Sequence, residues 1–301
     1  MKKRKIVAIT GCGGMLGEAV YKEFSADWDV HASDIDLNEV WLDSLDVTKT
    51  AEVIRYMTKV KPDAIVHLAA LTDMEYCQRN PEHAHDVNTL GVANALGCAV
   101  TRGIPFVYIS TAGIFDGNKK SYRENDTPNP LSVYGKSKYA GEVIARTYPK
   151  SIIIRAGWMM GGGPKKDKKF INKIIKQINA GATELKVVSD KFGTPCYTYD
   201  LAKSIKYLVK GKKYGVYHGA CIGGGSRLDV AKLIVNRLGL KKNITVSEVD
   251  SRHWNKEYFA PRPASEQLIN TNLKRLNPSL TRNWRVCLAE YLTTHDWLSN
   301  K

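Results

Sequence analysis

An apolar run, a glycine-rich turn and an amphipathic stretch follow one another at the start of the chain, in "KIVAITGCGGMLGEAVYKEF" (Lys5 to Phe24). The same change of period, from a buried strand to a helical face, recurs to about Ala156, and this repetition constrains the fold most. "KIVAIT" (Lys5 to Thr10), "DVHAS" (Asp29 to Ser33), "DAIVHLAA" (Asp63 to Ala70), "PFVYIS" (Pro105 to Ser110) and "SIIIRA" (Ser151 to Ala156) read as strands. Between them, Met15 to Phe24, Ala51 to Val60, Pro81 to Arg102 and Ser132 to Thr147 carry apolar residues at helical spacing. Strands alternating with helices predict an α/β fold, a Rossmann-like doubly wound parallel sheet with crossover helices.

After Ala156 the rhythm breaks at "GGGP" (Gly161 to Pro164). Strand patterns at Gly215 to Ala220 and Ile244 to Val249 then mix with helical ones. The expected organisation is a dinucleotide-binding domain over 1–156, rejoined by about 194–221 and 269–285. A smaller interleaved α/β substrate domain takes about 157–193 and 222–268.

Composition excludes several classes. Hydrophobic residues make up 43% and charged residues 25% of 301 residues, as in ordinary globular proteins. No run of eighteen apolar residues predicts a membrane span. "MKKRK" is basic, but the glycine-rich "IVAITGCGG" that follows is no signal-peptide core, so a cytoplasmic location is expected. Six dispersed cysteines form no CxxC pair and fit free thiols in a reducing compartment. His83 and His85 have no third ligand nearby in sequence, so they read as a surface turn and no metal is expected. The net charge of +15 is concentrated in "PKKDKK" (Pro164 to Lys169), "KGKK" (Lys210 to Lys213) and Lys241-Lys242. No aromatic-interleaved basic stretch supports nucleic acid; attraction of an anionic small molecule near Lys165 to Lys169 is expected, with solvated faces that keep the protein soluble as the alternative.

Gly11, Gly14 and Gly17 are three apart after the first strand, a GxxGxxG spacing where GxGxxG would require glycine at Leu16. Such a turn brings a pyrophosphate to a helix N-terminus, whose free N–H groups and dipole favour anions. Asp34 ends the second strand seventeen residues after Gly17. Its carboxylate suits an adenosine ribose and would repel a 2′-phosphate, so NAD(H) is favoured over NADP(H), with Asp36 as a fallback. Tyr134 and Lys138, four apart, share a helix face, close to the strand end at Ser110-Thr111. An ordinary tyrosine titrates near about 10. A nearby ammonium and a nicotinamide cation would favour its phenolate, letting Tyr134 act as general acid to a carbonyl. Thr111 would orient the carbonyl oxygen, and Lys138 would also hold the nicotinamide ribose.

Together "GCGGMLG", Asp46-Val47-Thr48, "HLAA", "VNTLG", "STAGIFDG" and "NPLSVYGKSKYAGE" resemble the extended short-chain dehydrogenases/reductases, most nearly the dTDP-4-dehydrorhamnose reductase branch. "RAGWMMG", "KFGTPCYTYDLA", "GVYHGA" and "RPASEQLINTNLKRL" extend the resemblance over nearly the whole chain. It implies NAD(P)H-dependent reduction of a 4-keto group on a nucleotide-linked deoxysugar, and it allows a homodimer. Thr111, Tyr134 and Lys138 correspond to the catalytic trio. Gly11, Gly14 and Gly17, with Met15 and Leu16, correspond to the pyrophosphate cradle. Asp46 and Val47 match positions near the adenine, Leu68, Ala69 and Ala70 the cofactor channel, and Thr72, Met74 and Trp158 positions near the sugar. The branch usually has Asp-Tyr where this chain has Ala112-Gly113. Dehydratases of the superfamily use an Asp-Glu pair there, so elimination chemistry is disfavoured. The alternatives are a non-catalytic dinucleotide-binding subunit, like the regulatory subunit of methionine adenosyltransferase, and a nucleotide-sugar epimerase.

Overall fold

The computed structural model describes residues 4–298; Met1–Lys3, part of the basic start, lie outside them. Six consecutive strands build the sheet: β1 (Lys5–Thr10), β2 (Trp28–Asp34), β3 (Leu42–Ser44), β4 (Ala64–His67), β5 (Phe106–Thr111) and β6 (Ser151–Ala156). With Gly215–His218 they form a seven-stranded sheet ordered Gly215–His218, β6, β5, β4, β1, β2, β3. Every pairing in it is parallel.

Both faces are covered, which is why these strands read as continuous apolar runs. Val7 and Ile9 of β1 point to one face with Val66, Val107 and Ile154, against helices Gly17–Ser25 and Thr198–Lys210. Ala8, Ile65, Phe106 and Ile153 point to the other, against helices Thr50–Val60 and Gly91–Arg102. A separate core joins Met160, Ile174, Val187, Ile234 and Trp284. It includes helices Phe170–Asn179 and Arg227–Arg237 and the parallel pair Glu184–Val188 and Thr245–Val249. Among the described residues no helix is long and apolar enough to cross a membrane. All six cysteines are free.

Several boundaries differ from expectation. The first helix begins at Gly17, not Met15, because Gly11 to Leu16 are used in the turn. β4 stops at His67, and Leu68 to Ala70 leave the sheet to cross the glycine turn. The strand expected to reach Ala220 ends at His218. His83 and His85 lie in a short helix, Pro81–His85, rather than a turn, and His83 Nδ1 meets the Tyr76 hydroxyl at 2.9 Å. The long helix expected over Pro81 to Arg102 is interrupted by a π-helical turn at Asp86–Leu90. Such turns cluster at functional sites, and this one aims the buried Asn88 at the loop after β4.

Candidate active site

The strand order reverses between β1 and β4, and open parallel sheets bind ligands at the carboxyl ends of strands at such a point. The loops leaving β1 and β4 meet there. Gly11 has φ +70°, and a Cβ on it would lie 2.2 Å from the Ala69 backbone nitrogen. A Cβ on Gly17 would lie 1.8 Å from the Cys12 carbonyl oxygen. These two glycines are demanded by the chain itself. Gly14 is different: its Cβ would meet nothing within 4 Å except the Gly11 oxygen, at 3.6 Å. The backbone at Gly14 is bare toward open space at the mouth of a helix, which fits a pyrophosphate.

A cleft of about 1310 Å³ runs from this turn across the strand ends. It exceeds the usual volume of one small-molecule site. Of the residues singled out from sequence, Gly11, Gly14, Met15, Leu16, Asp34, Asp46, Val47, Leu68, Ala69, Ala70, Thr72, Met74, Thr111, Tyr134, Lys138 and Trp158 line it; Gly17 packs beneath.

At one end, Asp34 Oδ2 accepts a hydrogen bond from the Gly13 N–H at 2.8 Å, and its Oδ1 accepts from Asp36 N at 3.0 Å. Asp46 Oδ1 accepts from the Thr48 N–H and hydroxyl. The basic segment does not act as one patch. Lys166 reaches back to this end and pairs with Glu39 at 3.0 Å, with Lys165 3.5 Å from the same oxygen. Lys169 turns the other way and donates to the carbonyl and hydroxyl oxygens of Thr72, both at 3.0 Å.

At the centre, Ser132 caps helix Val133–Arg146 by accepting from the Gly135 N–H. The first turn of this helix therefore lies beside the end of β5, with Tyr134 next to Thr111. A hydrogen bond with the Thr111 hydroxyl draws the Tyr134 pKa down, but burial outweighs it and the phenol is pushed up to about 12; the negative charge of Glu266 adds to the rise. Lys138 is 3% exposed, with its ammonium 4.4 Å from the Tyr108 ring centre. Burial lowers its pKa to about 7, against a smaller upward pull from Glu142. In the chain alone, then, Lys138 does not acidify Tyr134 as the four-residue spacing suggested. Desolvation controls both groups. Below them Glu142 and Arg155, both fully buried, pair at 2.8 Å, and Ser110 donates to Glu142 at 2.6 Å.

The loop after β4 is held by Asn88, whose side chain bonds the Leu71 N–H at 2.9 Å, the Leu71 carbonyl at 3.0 Å and Ser137 Oγ at 3.0 Å. This ties the loop to the Tyr134 helix. On the far wall Trp158 lies under the Arg227 guanidinium, 3.6 Å from the ring centre, and its Nε1–H donates to Glu266 at 2.8 Å. Arg227 also lies 5.0 Å from the Phe170 ring centre, and burial lowers its pKa to about 10. Arg262 binds Glu75 at 2.8 and 3.0 Å, closing that wall onto helix Met74–Arg79. Asn88, Arg227 and Glu266 escaped the sequence reading. The quoted "VNTLG" and "RPASEQL" segments contain two of them, but without a role for either side chain.

A seven-stranded parallel sheet, a glycine turn at its switch point and a Thr–Tyr–Lys cluster at the next strand ends define an extended short-chain dehydrogenase/reductase. Within that class the chain belongs to the family described as RmlD substrate binding domain, which matches residues 4–296. It is 31% identical to the spore coat polysaccharide biosynthesis protein SpsK of Bacillus subtilis over 291 residues, 95% of this chain and 96% of that one. The crystal structure of a dTDP-4-dehydrorhamnose reductase from Clostridium acetobutylicum superposes with a TM-score of 0.87 at 31% identity, covering 96% of this chain and 99% of that one. The Bacillus anthracis dTDP-4-dehydrorhamnose reductase, solved with NADP, superposes with a TM-score of 0.87 at 29% identity, covering 97% and 100%. The chain is thus a dTDP-4-dehydrorhamnose reductase-like oxidoreductase.

Proposed function

We propose that the protein reduces the 4-keto group of a dTDP-linked 6-deoxysugar at the expense of NADH or NADPH. The observation that carries this reading is the convergence of the Thr111 hydroxyl and the Tyr134 phenol on one point of the cleft, with the buried Lys138 ammonium one helical turn further along. A bound nicotinamide cofactor supplies the hydride. Thr111 and Tyr134 hold the carbonyl oxygen between them, and Tyr134 gives it a proton. Lys138, drawn to its charged form by the phenolate that results, offsets the negative charge. Gly11 to Gly17 receive the cofactor pyrophosphate. Asp34 and Asp36 face its adenosine end, which favours NADH, while Lys165, largely exposed beside them, offers a cation to a 2′-phosphate.

The substrate pyrophosphate has a counterpart in the second half of the cleft. Lys168, Lys169, Lys173, Lys191 and Arg227 line that wall. Their summed charge would help to draw a diphosphate into that half of the cleft. Ala112 and Gly113 carry no proton-transferring side chain, which argues for simple reduction over elimination.

The test follows absorbance of NADH and of NADPH with dTDP-4-keto-6-deoxysugars. The wild-type protein oxidises the cofactor in step with sugar reduction. Tyr134→Phe keeps the ring but removes the acid and lowers kcat by about a hundredfold or more, the usual scale for losing a general acid, with little change in cofactor affinity. Near-normal reduction by Tyr134→Phe would refute the assignment. Cofactor binding without reduction of any such sugar would point instead to a binding subunit.

A further inference from the structure

Three chemically distinct groups, Thr111, Tyr134 and Glu266, meet around Gly113. A side chain at Gly113 would begin 3.4 Å from Thr111 Oγ1, 3.6 Å from Tyr134 Cε1 and 3.5 Å from Glu266 Oε1. The carboxylate comes from far along the chain, on the short strand Ser265–Glu266, which runs parallel to Phe192–Gly193. It is held firmly. Its Oε2 accepts from Trp158 Nε1–H at 2.8 Å. The Trp158 ring is fixed in turn by Arg227 at 3.6 Å and by Gly193, where a Cβ would lie 2.1 Å from Trp158 Cε2. Only glycine at 193 leaves room for that ring. Among the described residues no hydrogen bond or ion pair reaches Glu266 Oε1; the carboxylate's bond is the one Oε2 makes with Trp158. The carboxylate lines the cleft, and its charge is felt by both Tyr134 and Arg227.

We propose that Glu266 Oε1 accepts a hydrogen bond from the hydroxyl on the sugar carbon adjacent to the reacting carbonyl, and so selects which sugars are reduced. The proposal rests on the reductase reading above. With the carbonyl oxygen held between Thr111 and Tyr134, the carbons flanking the carbonyl fall near Glu266, which lines the cleft beside both. In a 4-keto-6-deoxyhexose, C5 carries a methyl group and the ring oxygen, and neither donates. C3 carries a hydroxyl. An ionised carboxylate only accepts. With one oxygen committed to Trp158, the other takes a single hydroxyl proton. The site therefore penalises a sugar lacking that donor, because the charged acceptor then loses water without replacement.

The experiment compares kcat/KM for dTDP-4-keto-6-deoxyglucose and its 3-deoxy counterpart, in the wild-type protein and in Glu266→Gln. The glutamine oxygen still accepts from Trp158, so the wall is retained, and cofactor titration of both proteins reports that the site is folded. The wild type should favour the 3-hydroxy sugar by about 10- to 100-fold, the scale of a hydrogen bond to a charged group. In Glu266→Gln the loss should fall on the 3-hydroxy sugar, and the preference should collapse to within about threefold. A purely structural Glu266 would lower both sugars together. Equal preference in the two proteins, or a wild type that reduces both sugars without discrimination, overturns the assignment of Glu266 alone. A wild type that reduces neither overturns the reductase reading and this proposal with it.

Discussion

Gly14 and Gly17 stand three apart in one turn, yet replacing each by alanine should have opposite consequences. A methyl group on Gly17 would sit 1.8 Å from the Cys12 carbonyl oxygen, 2.4 Å from its carbonyl carbon and 2.6 Å from its Cα. All three are backbone atoms, so the first strand and the first helix must separate. Overpacking of this kind costs about 1–3 kcal/mol, and the rigid contact places Gly17→Ala at the upper end. At Gly14 the methyl meets only the Gly11 oxygen, at ordinary contact distance, and the backbone is not left-handed. There the loss of unfolded-state freedom should stabilise the protein by about 0.4–1 kcal/mol. The same methyl would stand where the pyrophosphate approaches the turn. Cofactor affinity in Gly14→Ala should therefore fall by about tenfold or more, equivalent to about 1.4 kcal/mol. Urea unfolding and fluorescence titration with NADH, run on both variants, separate the two effects. Wild-type cofactor affinity in a folded Gly14→Ala protein would refute the placement of the pyrophosphate.

Two other predictions concern charge. Lys138 keeps its proton below about pH 7 and loses it above. Since kcat/KM reports groups of the free enzyme, the value for reduction should be highest below pH 7 and fall with rising pH. The fall should approach about tenfold per pH unit. Lys138→Met should be slower and show no such limb; a wild-type profile flat from pH 6 to 9 would contradict the role of the ammonium. Glu142→Gln removes the counter-charge of the fully buried Arg155 and should cost about 3 kcal/mol or more. It should be read as a lowered urea midpoint, and an unchanged midpoint would show that Arg155 finds another partner.

Much of the fold could be read from the chain because both faces of the sheet are buried. β1 and β6 occupy the very residues, Lys5–Thr10 and Ser151–Ala156, whose apolar runs mark them. The glycine turn was legible for the same reason: a strand, a turn and a helix follow within twenty residues. What could not be read is what depends on distant packing. The partner of Trp158 lies 108 residues away, and nothing in "RPASEQL" separates Glu266 from a surface glutamate. The π-helical turn at Asp86–Leu90 leaves the apolar spacing almost unchanged but decides where Asn88 points. The two ends of "PKKDKK" face opposite halves of the cleft, because the chain reverses from helix Gly163–Lys166 into helix Phe170–Asn179.

The protonation states of Tyr134 and Lys138 bear on how the proton reaches the carbonyl oxygen. Four-residue spacing alone suggests an ammonium that acidifies a phenol, the arrangement wanted by an alcohol dehydrogenase working through a phenolate base. Burial reverses that expectation. A phenol pushed up to about 12 is fully protonated at neutral pH, and an ammonium lowered to about 7 is half discharged there. The resting pair is thus a proton donor beside a lysine that carries its charge in about half of the molecules at pH 7. As the carbonyl oxygen takes the Tyr134 proton, the charged form of Lys138 offsets the new phenolate. Glu266 pushes the same way, since its negative charge opposes a standing phenolate but not a neutral phenol. Glu266 thereby helps to keep Tyr134 in the protonated form that can give its proton to a carbonyl oxygen.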